Sequence, residues 1–235
     1  MRIDKVYIIS LETTDELISR CNNLQLPSPT SYWIKPGFDA RTMSTSDWES
    51  LGVYKHPNWK IESNNRFWNR EVTDGELGCS YSHVSVWNDA RENDYNLIFL
   101  LEEDFFQVNP INWDEVEQLI DMGYDVIYLG RNGLHTDLEV PIEGFTNWVE
   151  PEYSYNTQSL VITKRGLDIL IDEYSHQFKS EMFTIDEFFS VAFGKTDRTD
   201  ILDGYLGKPL LKVAAPVINY IEQLNNKGLT EFNHV

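Results

Sequence analysis

Three acidic residues follow a short apolar run in the middle of the chain. Residues 97–101 are predicted to form a buried strand, and Glu102, Glu103 and Asp104 come directly after it. Carboxylates this close together repel one another, and burying them unpaired is costly. In a short extended segment alternate residues point the same way, so we expect Glu102 and Asp104 to share one face. Two such carboxylates suit a hard divalent cation, Mg²⁺ or Mn²⁺, although a solvated acidic turn is the other interpretation.

A second stretch, DGELGCSYSHVSVW at residues 74–87, leads into an amphipathic helix. It places Glu76 near the helix start, with Ser82 and His83 further along. Taken alone, His83 is better interpreted as a structural histidine whose nitrogens are hydrogen-bonded within the protein than as a catalytic residue.

Two further stretches carry polar groups next to apolar runs. FTIDEFFSVAFGK at residues 183–195 holds Asp186 and Glu187 in an otherwise apolar, aromatic segment. Two adjacent acids in this position could do acid–base chemistry or could equally cap a helix. YDVIYLGR at residues 124–131 ends a predicted strand with glycine and arginine.

The composition narrows the classes of partner. The chain has 235 residues, 38 acidic and 19 basic side chains and a net charge of −19. Nucleic acid and anionic membrane surfaces select for Lys and Arg, so neither is an expected partner. An apolar content of 41% with 13% aromatic residues argues against disorder and predicts a substantial core.

The cysteines and the amino terminus indicate the compartment. Cys21 and Cys79 are too few for a disulfide framework or a Cys-only zinc site, and we interpret them as free thiols. Residues 1–11, MRIDKVYIISL, lack the apolar run and the cleavage site of a signal peptide. No segment approaches the ~20 apolar residues of a membrane span. We therefore expect a cytoplasmic location, in a bacterial cell or a virus-infected host.

The elements that must position these groups alternate along the chain. The predicted strands are residues 5–11, 97–101, 125–129, 159–163 and 210–214. Helical patterns cover residues 77–91, 113–122, 165–174 and 185–193. This alternation predicts a single α/β domain over residues 1–235, with a mostly parallel central sheet flanked by helices. In such sheets ligands bind beyond the carboxyl ends of the strands, which is where residues 102–104 fall. Residues 27–71 are predicted to be irregular and to help form a binding site.

Together and in this order, these stretches resemble glycosyltransferase family 25. That family includes bacterial lipooligosaccharide galactosyltransferases and collagen hydroxylysine galactosyl- and glucosyltransferases, and the likeness is closest to the collagen-type branch. It starts at KVYIISL and continues through MSTSDWESLGV. The family pattern G-E-x-G-C-x-x-S-H-x-x-x-W is matched at Gly75, Glu76, Gly78, Cys79, Ser82, His83 and Trp87. Four more family motifs have counterparts here. L-E-D-D is matched at Leu101–Asp104, and D-x-x-Y-x-G-R at Asp125, Tyr128, Gly130 and Arg131. Y-S-Y is matched at Tyr153–Tyr155, and D-E-F at Asp186, Glu187 and Phe188.

The resemblance implies a GT-A-like fold, a UDP-hexose donor, with galactose favoured over glucose, and a divalent cation, usually Mn²⁺ with Mg²⁺ as the alternative. Glu102 and Asp104 would hold the cation, and Asp186 or Glu187 would take the proton from the acceptor. The candidate donor-binding residues are Ser10, Glu76, Ser82, His83, Glu103, Tyr128, Arg131 and Tyr155. The implied acceptor is a glycan or a hydroxylysine-type peptide, and a homodimer is a further option.

Departures from the family pattern keep other functions open. ETTDELISR stands where the family has an Arg-rich segment, Glu103 stands for the usual Asp, and Asn156 replaces a Trp. These changes motivate an alternative, a catalytically silent sugar-nucleotide or glycan-binding module of the same fold. A third option is an unrelated acidic, metal-dependent phosphotransferase, but no Gly-Lys phosphate loop supports it. Whether the anomeric centre inverts or retains is left open.

Overall fold

A mixed eight-stranded sheet forms the centre of the molecule in the computed structural model, which describes residues 1–27 and 30–224. Two small two-stranded sheets accompany it. The strands are β1 Lys5–Ser10, β2 Tyr32–Pro36, β3 Leu97–Glu102, β4 Phe105–Gln107, β5 Val126–Tyr128, β6 Asn132–Gly133, β7 Val140–Pro141, β8 Trp148–Glu150, β9 Ser154–Tyr155, β10 Ser159–Thr163, β11 Val213–Pro216 and β12 Ile221–Gln223. The helices are α1 Asp15–Asn23, α2 Thr45–Ser50, α3 Asp74–Glu92, α4 Trp113–Asp121, α5 Lys164–Asp168, α6 Ser175–Ser180, α7 Ile185–Ala192 and α8 Thr199–Gly204. A π-helical turn, Ile169–Tyr174, joins α5 to α6, and a short 3-10 turn covers Thr136–Leu138.

The large sheet has the spatial order β2-β1-β3-β10-β5-β11-β8-β7. β1 pairs in parallel with β2 and β3, and β11 pairs in parallel with β5, while the other four pairings are antiparallel. Six of the eight strands therefore point in the same direction, and β10 and β8 run against them, so the sheet is mixed, with most of its strands in one direction. Residues 129–158, all of which the structure describes, contain no α-helix, so the chain re-enters the sheet without a helical crossover and β10 runs against both of its neighbours.

Helices cover both faces of the sheet. On β3, Ile98 and Leu100 join the core packed under α3 and α7, whereas Phe99 and Leu101 join the core packed under α1 and α4. Burial on both faces explains why this strand is a continuous apolar run. The expectation of an α/β fold with flanking helices is confirmed.

Helix α3 brings one irregular loop close to the sheet edge. Its first turn is closed by a capping box between Thr73 and Glu76. Further along, a Cβ at Gly78 would lie 2.4 Å from the carbonyl oxygen of Phe38, so only glycine lets the loop 37–41 rest on the helix. The loop is thereby held beside the carboxyl ends of β1 and β3.

The predicted strands are all present, and so are the predicted helices, although residues 165–174 are divided between α5 and the π-helical turn that follows it. Counted in this way, the bounds lie within three residues of the prediction. Helix α1 was not predicted, because its sequence, DELISRCNN, is mostly polar and only Leu17 and Cys21 on it are buried. Residues 27–71 are mostly irregular as expected but include β2 and α2; Ser28 and Pro29 lie outside the described residues.

Both cysteines are free thiols, as expected. Among the described residues, no helix combines the length and the apolar character that a bilayer crossing requires. The cytoplasmic location stays a prediction.

Candidate active site

A pocket of about 360 Å³ opens where the parallel strands β1, β2 and β3 end. This is the edge at which α/β sheets bind ligands. Its walls come from the end of β1, the loop after β2, the start of α3 and the acidic segment after β3. The lining residues are Ile9, Ser10, Leu11, Gly37, Phe38, Asp39, Ala40, Arg41, Asp74, Gly75, Cys79, Ser82, Glu102, Glu103, Asp104 and Gln223.

Glu102 ends β3 at the back of this pocket and is tied to two other elements. Its Oε1 lies 3.0 Å from Nε2 of His83, which is wholly buried on α3. The same oxygen accepts a hydrogen bond from the hydroxyl of Thr157 at 2.9 Å. His83 and Thr157 therefore fix one oxygen of this carboxylate in place.

Asp104 is the least satisfied acid of the pocket. Its Oδ2 accepts a hydrogen bond from Nε2 of Gln223 at 2.6 Å, while its Oδ1 is buried without a hydrogen-bond partner among the described residues. Burial and the nearby negative charge of Glu102 raise the pKa of Asp104 to about 7. This oxygen is therefore available to a cation or to a donor group of a ligand.

Glu103 is anchored in a different direction from Glu102. Its Oε2 accepts hydrogen bonds from the hydroxyl of Ser10 at 2.5 Å and from the backbone N–H of Leu11 at 3.0 Å. The contacts tie the acidic segment to the end of β1, as expected if neighbouring residues alternate in direction. Ser10 and Glu103 therefore both lie in the pocket wall and hold each other.

Asp186 and Glu102 meet across a single hydroxyl. Oγ1 of Thr157 lies 3.1 Å from Oδ1 of Asp186, in addition to its contact with Glu102. A threonine hydroxyl has one proton, so it satisfies only one of two ionised carboxylates at a time. Burial and the charge of Glu102 raise the pKa of Asp186 to about 7. A protonated Asp186 would supply the second hydrogen bond of this arrangement.

Glu187 occupies a different environment although it is the next residue. It is fully buried, and its oxygens accept hydrogen bonds from the hydroxyls of Tyr153, at 2.7 Å, and Thr196. Burial raises its pKa as well. Tyr155 joins this group through its hydroxyl, 2.6 Å from that of Tyr153. None of these four residues lines the pocket.

Two candidate donor-binding residues on α3 have structural hydrogen bonds. Glu76 closes the capping box and forms a two-pronged ion pair with Arg70, at 2.8 and 2.6 Å, outside the pocket lining. Ser82 does line the pocket: it accepts a hydrogen bond from the N–H of Phe38 at 2.8 Å and donates to the carbonyl of Gly78 at 2.7 Å. Ser82 thereby fastens the 37–41 loop to the helix.

The two candidates on the β5 segment lie beneath the surface. Tyr128 is 1% exposed, and burial together with the charge of Asp186 raises its pKa. Arg131 is buried and paired with Glu139 through two contacts of 2.6 and 2.9 Å, and it also donates to Ser154 at 2.8 Å. Its charge is therefore balanced within the protein, and neither residue belongs to the pocket lining.

The motifs did not point to three residues of the site. Arg41 is the single cation among the described lining residues, and it pairs with Asp39 on the loop after β2. Gln223 reaches Asp104 because β12 pairs with β4. Thr157 reaches Glu102 because β10 is antiparallel to β3. Only Arg41 had a signal in the sequence, as a basic residue in a segment predicted to help form a binding site.

The fold and the pocket define an α/β protein with clustered carboxylates at a parallel strand edge, an arrangement that enzymes use to bind cations and phosphorylated ligands. The family model "Glycosyltransferase family 25 (LPS biosynthesis protein)" matches residues 3–131. The chain belongs to this family.

Curated relatives agree with the family assignment. Procollagen galactosyltransferase 1-A of Xenopus laevis is 25% identical over 94% of this chain and 36% of its own length. Procollagen galactosyltransferase 2 of Homo sapiens is 24% identical over 94% of this chain and 35% of its own. A protein of Rattus norvegicus described as a probable inactive glycosyltransferase 25 family member 3 is 28% identical over 83% of this chain and 34% of its own. The chain thus spans about a third of the length of these relatives.

A solved structure described as A197 from STIV aligns with 94% of this chain and 84% of its own, at 11% identity and a TM-score of 0.41. A similarity this low carries no argument about the fold. The GT-A-like arrangement therefore stays a proposal.

Proposed function

We propose that this chain is a metal-dependent glycosyltransferase that moves a hexose from a UDP-sugar to an acceptor hydroxyl, with galactose favoured over glucose. Family membership supports a glycosyltransferase. The observation that carries the finer proposal is a group of three acids: Glu102 and Asp104 line the pocket, and Asp186 meets Glu102 across Thr157 without lining it. The pKa values of Asp104 and Asp186 are both raised to about 7. Acids with strongly raised pKa values beside a cleft are typical of functional sites.

The donor set of the acidic segment fits a hard cation. Glu102 and Asp104 offer carboxylate oxygens, and Oδ1 of Asp104 is buried without a partner in the described chain. Oxygen ligands of this kind prefer Mn²⁺ or Mg²⁺. When bound, such a cation would relieve the repulsion between the acids and neutralise the negative charge that develops on the diphosphate leaving group.

The other residues of the pocket would bind and orient the donor. Arg41 is the cation that the lining offers to a diphosphate, in place of the Arg-rich segment that the family has after its first strand. Ser10 and Glu103 hold the acidic segment against β1, and Ser82 holds the loop that carries Arg41. His83 orients Glu102.

Asp186 is the proposed base that accepts the proton of the acceptor hydroxyl in an inverting transfer. Its raised pKa suits proton transfer near neutral pH, and Thr157 holds it beside Glu102. Glu187, by contrast, is enclosed by protein hydroxyls. By analogy with the relatives described as procollagen galactosyltransferases, a hydroxylysine-type peptide is one proposed acceptor and a glycan is the other.

The test is a UDP-release assay with UDP-galactose, UDP-glucose, UDP-N-acetylglucosamine and UDP-glucuronate, with Mn²⁺ and with EDTA. We expect Mn²⁺-dependent release from UDP-galactose above the others. Absence of both UDP release and UDP binding by thermal shift would overturn the proposal.

A catalytically silent sugar-nucleotide or glycan-binding module is the second candidate. It is favoured by the hydrogen bond from Gln223 that engages one oxygen of Asp104, and by the pairing of Arg131 with Glu139, which balances that arginine within the protein. A similar rat protein is described as probably inactive. UDP binding without release from any donor, in the presence of collagen-type and glycan acceptors, would favour this candidate over the enzyme.

A further inference from the structure

A second set of potential ligands lies beside the acidic segment. Cys79 and His83 are one helical turn apart on α3 and face Glu102 at the end of β3. One sulfur, one nitrogen and one oxygen from these side chains all lie within 4.8 Å of one another. The three residues come from two rigid elements, a 19-residue helix and a central strand, so their arrangement does not depend on a loop.

The chemistry of this set differs from that of the carboxylate pair. Glu102 and Asp104 offer only oxygen, whereas Cys79 adds a soft sulfur and His83 an imidazole nitrogen. Thiolate and imidazole select Zn²⁺ over Mn²⁺ or Mg²⁺. A reactive zinc site usually has three protein ligands and a fourth position open to water or substrate. Here two of the three ligands, Cys79 and Glu102, line the pocket.

We propose that Cys79, His83 and Glu102 form a binding site for a soft divalent cation, Zn²⁺ in particular, distinct from the hard-cation pair but sharing Glu102 with it. The ligand geometry stands without the proposed function. Only the consequence for catalysis rests on that function: because Glu102 belongs to both sets, Zn²⁺ at this site would withdraw it from Asp104 and inhibit transfer.

The hydrogen bonds around His83 are compatible with a metal ligand. Nε2 faces Glu102 at 3.0 Å, and Nδ1 is buried without a partner among the described residues. The carboxylate of Glu102 therefore favours the ring proton on Nε2, and a cation bound there must displace that proton. A cation at this site would take the place of that proton and of the thiol proton of Cys79.

The test is a Zn²⁺ titration of untagged protein in competition with a chromogenic chelator. Cys79→Ser removes the sulfur and leaves the shape nearly unchanged, and Cys21→Ser is the matched control because it removes the other free thiol, far along the chain on α1. We expect Cys79→Ser to weaken Zn²⁺ binding by about 100-fold or more and Cys21→Ser to leave it unchanged. Thermal melting of each variant checks that it is folded, and Cys79→Ala replaces Cys79→Ser if the serine variant is not.

Co²⁺ provides a spectroscopic measurement that is independent of activity. A cobalt–thiolate bond gives a ligand-to-metal charge-transfer band, which we expect in the wild type and in Cys21→Ser but not in Cys79→Ser. Equal Zn²⁺ affinity in the wild type and Cys79→Ser, or no thiolate band with Co²⁺, would overturn the site.

The two proposals fail separately. Mn²⁺-dependent UDP release without thiolate-dependent Zn²⁺ binding removes the zinc site alone. Thiolate-dependent Zn²⁺ binding without any UDP release or UDP binding removes the transferase proposal and leaves the zinc site standing.

Discussion

Asp186 and Glu187 are neighbours in the chain but have opposite surroundings. Glu187 is enclosed by the aromatic core and receives hydrogen bonds from Tyr153 and Thr196. Asp186 shares one hydroxyl with Glu102, and the two carboxylates repel each other. Burial is the main cause that raises both pKa values, but only the pKa of Asp186 is raised further by a neighbouring acid of the pocket, Glu102.

This difference gives a criterion that separates a structural acid from a reactive one. When both oxygens of a buried carboxylate accept hydrogen bonds from the protein, those bonds offset the free-energy cost of burying it. A carboxylate left half-satisfied beside a like charge stores unfavourable energy that a cation or a substrate proton can release. By this criterion Asp104 belongs with Asp186, and Glu76, with its cap and its arginine, belongs with Glu187.

Replacing the two neighbouring acids one at a time gives the largest expected contrast. We expect Asp186→Asn to lower turnover by about 1,000-fold, because the acceptor proton loses its base. Glu187→Gln should lower turnover less than about tenfold but destabilise the fold by about 1–3 kcal/mol, since an amide cannot accept from both hydroxyls. Turnover with Mn²⁺ and urea unfolding measure the two effects. If Glu187→Gln lowered turnover more than Asp186→Asn, Glu187 would be the base and Asp186 the structural acid.

The carboxylate pair is tested by its dependence on the cation. Asp104→Ala should lower turnover by at least about 100-fold and raise the Mn²⁺ concentration needed for half-maximal rate, because one of the two cation ligands is lost. Glu76→Gln, a change at a satisfied acid outside the pocket lining, should leave that concentration unchanged. The measurement is turnover across a Mn²⁺ series. Intact turnover and Mn²⁺ dependence in Asp104→Ala would show that the cation is held elsewhere.

Stability without metal should change in the opposite direction to activity. The pKa of Asp186 rises from an ordinary 3.8 to about 7 on folding, so the folded state binds more protons and this group's contribution falls as pH rises from about 4 to about 7. Asp186→Asn removes the charge, and we expect it to raise the free energy of unfolding at pH 8 by about 1–3 kcal/mol. The gain should be smaller at pH 5. Urea unfolding in EDTA at both pH values measures it, and a gain that is equal at the two values would contradict the raised pKa.

The motifs were sufficient to predict the acids but not their partners. Glu102, Asp104 and Asp186 each follow or open an apolar element, which is a local pattern that a single sequence carries. Thr157 could not be placed, because a parallel β10 would have put it at the opposite edge of the sheet from Glu102. Its true position depends on the antiparallel return of the chain from β5, which has no helical pattern to announce it.

Gln223 and the loop 37–41 show the same limit. Gln223 reaches Asp104 only through the pairing of β12 with β4, more than a hundred residues apart in the chain. The loop is held by the close approach of Phe38 to Gly78 and by the hydrogen bond to Ser82. The sequence predicted helix α3, but it did not predict that the loop 37–41 would pack against Gly78 on that helix.

Arg131 and Arg41 differ in the same way as the acids, one balanced within the protein and one at the pocket, and the expected effect of replacing Arg41 is the smallest of those predicted here. Arg131 is buried and balanced by Glu139, whereas Arg41 is exposed at the pocket and paired with Asp39 on its own loop. We expect Arg41→Gln to raise the KM for the UDP-sugar about threefold to tenfold with the melting temperature unchanged, because an exposed charge contributes about 1 kcal/mol to binding and little to folding.

Arg66→Gln is the matched control, since Arg66 is also exposed but does not line the pocket. Its KM should equal that of the wild type. If Arg41→Gln and Arg66→Gln had the same KM, the diphosphate would be bound without the loop cation, and the loss of the basic segment after β1 would be uncompensated. A KM effect confined to Arg41→Gln that weakens at high salt would instead place the phosphate charge at this loop, since exposed ion pairs are screened by added ions.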